Sequence, residues 1–544
     1  MPQFELICFI LMLVAVLNIV ARKIQMPYPV LMVIGGLVLG FIPQLPRVVM
    51  PPELVLPILL PPLLFAAAFL TSWHDFRSKL RPIVLLAVGL VLVTTLAVAC
   101  AAHFIIPGLP WAAAFVLGAI VSAPDAIAAT SIFKNLEVPR HIVTVLEGES
   151  LVNDAAALVA YRFGVVAVVT GSFSPSSAAM MLPLVAFGGV TIGGLVGLGV
   201  DWILRRLDDP PVQITISLLA PFIAYLAAER LHCSGVLAVV TAGIFIGWRM
   251  PRMIKARTRL ELAAFWQMLV YLLNGIIFIF IGLQLPRVVE GLGHRPWGHL
   301  LFETTVVAAV VIGVRLLWIF PSAWLPRLLF PALLARDPYP DWRHLFIIGW
   351  AGMRGVVSLA TALALPFITA TGAPFPGRDT IIFISFAVIL FTIVAQGLTL
   401  PFLIRLLKVK GDGKTLCEEH IARVVANQAV LTYIRDLAKS DPQHQEHFSL
   451  LQAQYHERLA YLESGADDED PAVFEVDSPP SPLRRFSLDA LRIEHDALIE
   501  LRNQHRINDE TLRVVQRDID LAEARLTEMK FSTRTRACAD TTAT

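Results

Sequence analysis

The sequence predicts an all-α polytopic membrane protein of about 13 transmembrane helices, followed by a helical tail that stands in water. Three observations predict it. The 544-residue chain has a mean hydropathy of +0.68. It is 56% hydrophobic and 16% charged, whereas a soluble globular chain is nearer a quarter charged. Charge is also unevenly spread. Residues 1–410 hold 28 Lys+Arg and 18 Asp+Glu, and residues 411–544 hold 16 and 25, so the overall +1 hides a basic front part and an acidic tail. These numbers disfavour a single soluble domain and exclude disorder, collagen and a disulfide scaffold. Two domains are expected: a transmembrane domain over 1–410 and a cytoplasmic helical tail over 411–544. Five cysteines without a Cys-x-x-Cys pair suggest no zinc site.

A membrane-crossing helix needs about 20 mostly apolar residues. Such stretches centre near residues 12, 35, 62, 94, 122, 155, 191, 221, 241, 273, 310, 358 and 393. The first begins with Glu5 and has no small-residue cleavage site, so it reads as a span and not a signal peptide. Alternate loops carry 20 Lys+Arg on one side and 5 on the other. Cytoplasmic loops collect these residues, which puts the N-terminus outside and the tail in the cytoplasm. The tail reads as helices over roughly 414–464 and 484–530, joined by the Pro- and acid-rich stretch from Gly465 to Pro482. Its His444 and His447, at i,i+3, read as a solvated helix face.

Ionisable groups inside apolar spans are costly and mark ion paths. In span five, Asp125 follows Pro124 in the stretch Gly118–Thr130. The proline interrupts the helix, and a broken helix exposes carbonyls and helix ends that bind ions where they line a cavity. The plainer alternative is a kink with a paired carboxylate. In span six, Glu147-Gly-Glu-Ser-Leu-Val-Asn-Asp154 places five polar groups in eight residues. Glu147, Ser150 and Asp154 share one helix face, with Glu149 and Asn153 on a neighbouring one. A buried structural network is the alternative. In span twelve, Gly349-Trp-Ala-Gly-Met-Arg-Gly355 carries Arg354, a permanent charge that must be paired. If spans 1–6 and 8–13 are inverted six-helix repeats, span 5 corresponds to span 12. Paired interrupted helices in matching halves point to a transport site between repeats.

These motifs resemble the monovalent cation:proton antiporters, in the bacterial sodium/proton exchanger branch with an Asn-Asp pair. Gly148-Glu-Ser-x-x-Asn-Asp154 with Leu158-Val-Ala-Tyr-Arg162, Trp350-Ala-Gly-Met-Arg-Gly355 and Leu60-Pro-Pro-Leu-Leu-Phe65 look like its signatures, and Arg506-Ile-Asn-Asp-Glu510 looks like the bacterial tail. The resemblance implies that Asp154 binds cation and proton in turn, with Asp125 beside it at the broken helix and Ser150 as an oxygen ligand. It implies that Asn153 replaces the second acid of electrogenic relatives, and that Glu149 and Arg354 form a buried ion pair. It also implies a homodimer. Two positions depart from the pattern: Ala66, where some members carry an acid, and Pro124, where others carry threonine.

The residues themselves fit that chemistry. Na⁺ is a hard cation that prefers oxygen ligands, as calcium and magnesium do. Asp154, Asp125, Ser150 and freed carbonyls would supply them. A carboxylate in low-dielectric surroundings also holds a proton more readily. Proton and Na⁺ (or Li⁺) then compete for one charge, and alternating access yields antiport, electroneutral if one cation replaces one proton. The expectation is a secondary transporter of a bacterial inner membrane, serving pH homeostasis, with no enzyme activity, cofactor or nucleic-acid partner. K⁺/H⁺ exchange is the alternative. An intramembrane aspartyl hydrolase with Asp125 and Asp154 as a dyad is remote, and the absence of a P-loop disfavours a primary pump.

Overall fold

A computed structural model describes residues 2–24, 28–42, 52–133, 136, 138–171, 175–291, 296–331, 337–411, 413–464 and 481–541. These residues are helical apart from short connections and one isolated β-bridge between Ile368 and Pro374. The front part runs α1 (Pro2–Ile24), α2 (Tyr28–Gly40), α3 (Pro52–Leu70), a short α4 (Trp73–Ser78), and α5 (Leu80–Ile105). Next come the two halves of a broken span, α6 (Trp111–Ser122) and α7 (Ala126–Phe133). The long helices α8 (Arg140–Thr170), α9 (Pro175–Leu204), α10 (Pro210–Arg230), α11 (Gly235–Met253), α12 (Ala256–Gly291) and α13 (Trp297–Leu329) follow. A second broken span, α14 (Trp342–Trp350) and α15 (Val356–Leu363), precedes α16 (Arg378–Leu406). Helices thus stand at each expected centre. Among the described residues, nine are long and apolar enough to cross a membrane, and three shorter apolar ones lie at the N-terminal end.

The helices sort into two bundles. In one, α2 packs on α12 and α3 on α11, with α1, α9 and α10 around them. In the other, α5 packs on α6, α6 on α8, and α13 on α5 and α14, with α16 alongside. Small residues bring the backbones together, as is usual where lipid removes the hydrophobic drive between helices. A Cβ at Gly36 would lie 2.1 Å from the Ile279 carbonyl oxygen, and one at Gly118 2.3 Å from that of Thr95. The bundles meet where Leu151 and Ala155 of α8 pack against Phe65, Ala66 and Val239.

The tail forms α17 (Lys414–Ser440), α18 (Gln445–Ser464), α19 (Ser481–Asn503) and α20 (Asp509–Thr541). Leu491, Leu498 and Leu501 of α19 bury against Ile507, Leu512, Val515 and Ile519. Nearly all of the linker expected from Gly465 to Pro482 lies outside the described residues. His444 meets Asp441 at 2.9 Å and its ring packs against Phe486.

His495 is partly buried where the tail meets the front part, bonded to Gln516 at 2.9 Å and 3.9 Å from Asp496. Burial, then the facing guanidiniums of Arg259, Arg502 and Arg252, lower its pKa from 6.5 to about 4. Once released, the imidazole takes a proton at its ordinary value, so this contribution to stability is complete above about pH 6.5 and is lost as pH falls towards 4. The loss reaches about 3 kcal/mol. Thermal unfolding across that window is expected to show a steeper acid-side fall for the wild type than for His495→Gln. The comparison isolates the imidazole from Asp520, whose carboxyl is raised by burial and titrates in the opposite sense. Parallel profiles would refute it.

Candidate site at the crossing of the two broken helices

Both interruptions fall where the sequence places them, and they touch. The α6–α7 break spans 123–125 and the α14–α15 break 351–355. The Asp125 N–H donates to the Met353 carbonyl at 2.7 Å. Gly355 permits this approach: its backbone is extended, but a Cβ there would lie 1.9 Å from Asp125 Oδ2. Pro124 supplies no N–H, and it lies in the extended stretch between Ser122 and Ala126.

Each break leaves carbonyls without helical partners on one side and N–H groups without them on the other. Arginines cover the carbonyl ends. Arg354, fully buried, donates from Nε to the Val121 carbonyl at 3.0 Å and from Nη2 to that of Ser122 at 3.5 Å, closing the end of α6. Its own N–H donates to Thr392 Oγ1 at 3.1 Å, beside a π-helical turn over Thr392–Gln396. Arg315 of α13 donates to the carbonyls of Gly349 and Ile348, both at 3.1 Å, closing the end of α14. Positive charge at a helix C-terminus is favourable.

Oxygens cover the N–H ends. Asp125 Oδ1 accepts from the Ile127 N–H at 2.8 Å, and Ser150 Oγ accepts from the Ala126 N–H at 3.3 Å, so both cap α7. Asn153 Nδ2 donates to the Pro124 carbonyl at 2.9 Å, while its Oδ1 is buried without a partner. Asp154 is buried one residue further along α8, close enough for the charge of Asp125 to act on it.

The expected Glu149–Arg354 pair is corrected. Glu149 is held by Arg315 through two bonds, Oε1 to Nη1 at 2.5 Å and Oε2 to Nη2 at 2.8 Å, with both side chains fully enclosed. Arg354 lies in the α14–α15 break itself and is spent on the α6 carbonyls, whereas Arg315 reaches in from the neighbouring helix. The clue in the sequence was a third arginine in an apolar span, the same signal that marked Arg354. Thr392 carried no such signal. Glu147 lies close enough to Arg513 of the tail for its charge to act on that guanidinium. Arg162 pairs with Glu229 of α10 at 2.6 and 2.8 Å, tying α8 to the other bundle on the side away from the tail. Ala66 is buried between the bundles, in the cluster that holds Leu151 and Ala155.

Two interrupted helices that cross inside a multi-helix membrane protein, around buried carboxylates and arginines, define a transporter and not an enzyme. The chain belongs to the sodium/hydrogen exchanger family, whose transmembrane domain matches residues 9–406. An uncharacterized Na⁺/H⁺ exchanger of Mycobacterium tuberculosis is 35% identical over 96% of both chains. The Na⁺/H⁺ antiporter ApNhaP of Aphanothece halophytica is 32% identical over 81% of each. A sodium, potassium, lithium and rubidium/H⁺ antiporter of Bacillus subtilis is 33% identical over 74% of this chain and 62% of its own. The fold matches the sodium proton antiporter MjNhaP1 of Methanocaldococcus jannaschii with a TM-score of 0.59 and 21% identity, covering 75% of this chain and all of that one.

Removing one partner of a buried ion pair strands the other. Arg315→Met is expected to lower stability by about 3–5 kcal/mol, read as a drop in the unfolding temperature of the detergent-solubilised protein. Adding Glu149→Met should recover part of the loss. A double variant no more stable than the single one would show that Arg315 acts only through the α14 carbonyls.

Proposed function

We propose that the chain is a secondary antiporter exchanging Na⁺ or Li⁺ for H⁺, with Asp154 as the carboxylate that the two ions occupy in turn. The observation that carries this reading is the charge count at the crossing. Arg315 and Arg354 bring two positive charges, and Glu149, Asp125 and Asp154 three negative ones. One negative charge is left over. In low-dielectric surroundings it demands a partner, and one proton or one monovalent cation satisfies it equally.

Glu149 is bound on both oxygens, and Asp125 is engaged as a helix cap. Asp154 is therefore the acid free to exchange its partner. Asp125, Ser150 and the unpartnered Asn153 Oδ1 supply further oxygen ligands of the kind a hard cation takes. Asn153 keeps the count at one. Its amide donates to the Pro124 carbonyl, where an aspartate would set an acceptor against an acceptor. One cation for one proton makes the cycle electroneutral. The bundle interface beside α8 is the surface across which alternating access operates.

The loop-charge asymmetry supports an N-terminus outside and a tail in the cytoplasm of a bacterial inner membrane. The family supports pairing of two copies. Exchange of K⁺ is the second reading, favoured by the Bacillus relative, whose name includes potassium.

The test is exchange in reconstituted vesicles with an internal pH dye. Added Na⁺ should dissipate a preset proton gradient, with Li⁺ and K⁺ ranked against it across pH. Asp154→Asn should cut the signal by at least about 100-fold, to the rate of empty vesicles. Full exchange by that variant would remove Asp154 from the mechanism. Clamping the membrane potential should leave the wild-type rate unchanged, and a rate that follows the potential would rule out the one-for-one count.

A further inference from the structure

On the bundle opposite Asp154, one buried polar side chain is only half used by the fold. Asn274 is a lone amide in the apolar stretch 272–277 of α12, and it is 2% exposed. Amides inside a membrane bundle bond across helices, and one end of this one does. Its side-chain N–H donates to the hydroxyl of Tyr28, the first residue of α2. One turn earlier, Tyr271 donates to the Val14 carbonyl at 3.3 Å, so the same part of α12 is also pinned to α1. The other end of the amide, Asn274 Oδ1, is buried with no hydrogen-bond partner. A buried acceptor left in this way is costly, and with the N–H end committed to Tyr28 it is the oxygen that is left over.

Tyr28 places that oxygen at the crossing. Its hydroxyl receives the Asn274 N–H and is near enough to Asp125 for that charge to act on it. The phenol therefore stands between an acid of one bundle and an amide of the other. Depth agrees. Arg140 of α8 and Arg259 of α12 both pair with carboxylates of the tail. Asp154 lies about 21 Å along α8 from Arg140, and Asn274 about 22 Å along α12 from Arg259. The orphaned oxygen thus stands at the level of the acids, on the opposite wall.

The chemistry of an amide oxygen separates the two ions. It carries partial negative charge and two lone pairs, which a hard cation takes as readily as a water or backbone carbonyl. It does not take up a proton, because the side-chain amide does not titrate. Asp154 can serve either ion, whereas Asn274 can serve only the metal.

We propose that Asn274 Oδ1 is a ligand of the transported cation, supplied from the bundle opposite the acids and oriented by Tyr28. It sets the affinity for Na⁺ independently of that for H⁺. The assignment rests on the antiport reading and deepens it.

The test measures Na⁺ affinity in the full chain in two ways: half-saturation of exchange in vesicles, and the Na⁺ concentration at the midpoint of thermal stabilisation in detergent, which needs no turnover. Asn274→Leu should raise both concentrations by about tenfold, the scale of one bond to a charged group. With Na⁺ scaled to each protein's own half-saturation, the pH profile should not move. Asn274→Asp keeps an oxygen and should bind Na⁺ at least as well as the wild type. Tyr28→Phe releases the amide to turn and should fall between wild type and Asn274→Leu. Unchanged midpoints in Asn274→Leu overturn the assignment, since the oxygen then meets only water. Equal losses in the Leu and Asp variants also overturn it, since the amide then serves packing. If wild-type vesicles move no cation against H⁺, the antiport reading itself fails. If they do and Asn274→Leu leaves Na⁺ affinity alone, only the ligand falls.

Discussion

A helix interrupted inside a membrane must find partners for backbone groups that water cannot reach. Here that constraint is met twice, at one place. The two carbonyl ends, of α6 and α14, are each closed by an arginine that lies outside the half-helix it caps. The N–H end of α7 is closed by Asp125 and by Ser150. Two arginines buried in this way need counter-charge, and Glu149 supplies it for Arg315. The carboxylates are therefore part of the solution to a backbone problem, whatever else they do. Removing any of these charges disturbs how a helix end is closed.

The same geometry separates the three acids by task. A carboxylate bound on both oxygens, as Glu149 is, gives up its guanidinium only at great cost. Asp125 spends one oxygen on the α7 N-terminus, where negative charge is favoured by the helix dipole. That leaves its other oxygen beside Gly355, turned to the second break. Asp154 sits on an unbroken helix, with no backbone end to satisfy. Of the three acids, Asp154 carries the least structural duty.

The helices and both breaks were legible in the sequence, because each follows from a local rule. Apolar runs of bilayer length mark the spans, Pro124 removes an N–H, and glycines at 349, 352 and 355 allow close backbones. Asn153 and Asp154 stood out because polar groups are rare at that depth. What the sequence could not resolve was pairing. Glu149 had Arg315 and Arg354 as equally charged partners, and the choice depends on which side of the interruption each guanidinium approaches. Thr392 was invisible because a threonine in an apolar helix is unexceptional until a neighbouring N–H needs an acceptor. The tail helices could be read from their leucines. Their seat on the membrane domain could not, since Arg259 and Asp520 lie far apart in the chain and each has an ordinary solvated alternative.

One element joins these observations. Helix α8 has 31 residues, about 46 Å of unbroken helix. Arg140 is at one end and Glu149, Ser150, Asn153 and Asp154 are near the middle. Arg162 lies about 12 Å beyond Asp154. A continuous helix of this length transmits displacement along its axis, because its hydrogen bonds shorten or lengthen only slightly. Arg140, held by Asp75 and the tail, and Arg162, held by Glu229, therefore stand on the same rigid rod as Asp154. Between them, Leu151 and Ala155 belong to the same buried apolar cluster as Phe65 and Ala66. An acid at position 66 would place a charge in that apolar cluster. Alanine keeps that cluster apolar, and α8 is held by its polar contacts instead: Arg140 at one end, Glu149, Ser150 and Asn153 in the middle, and Arg162 towards the other end.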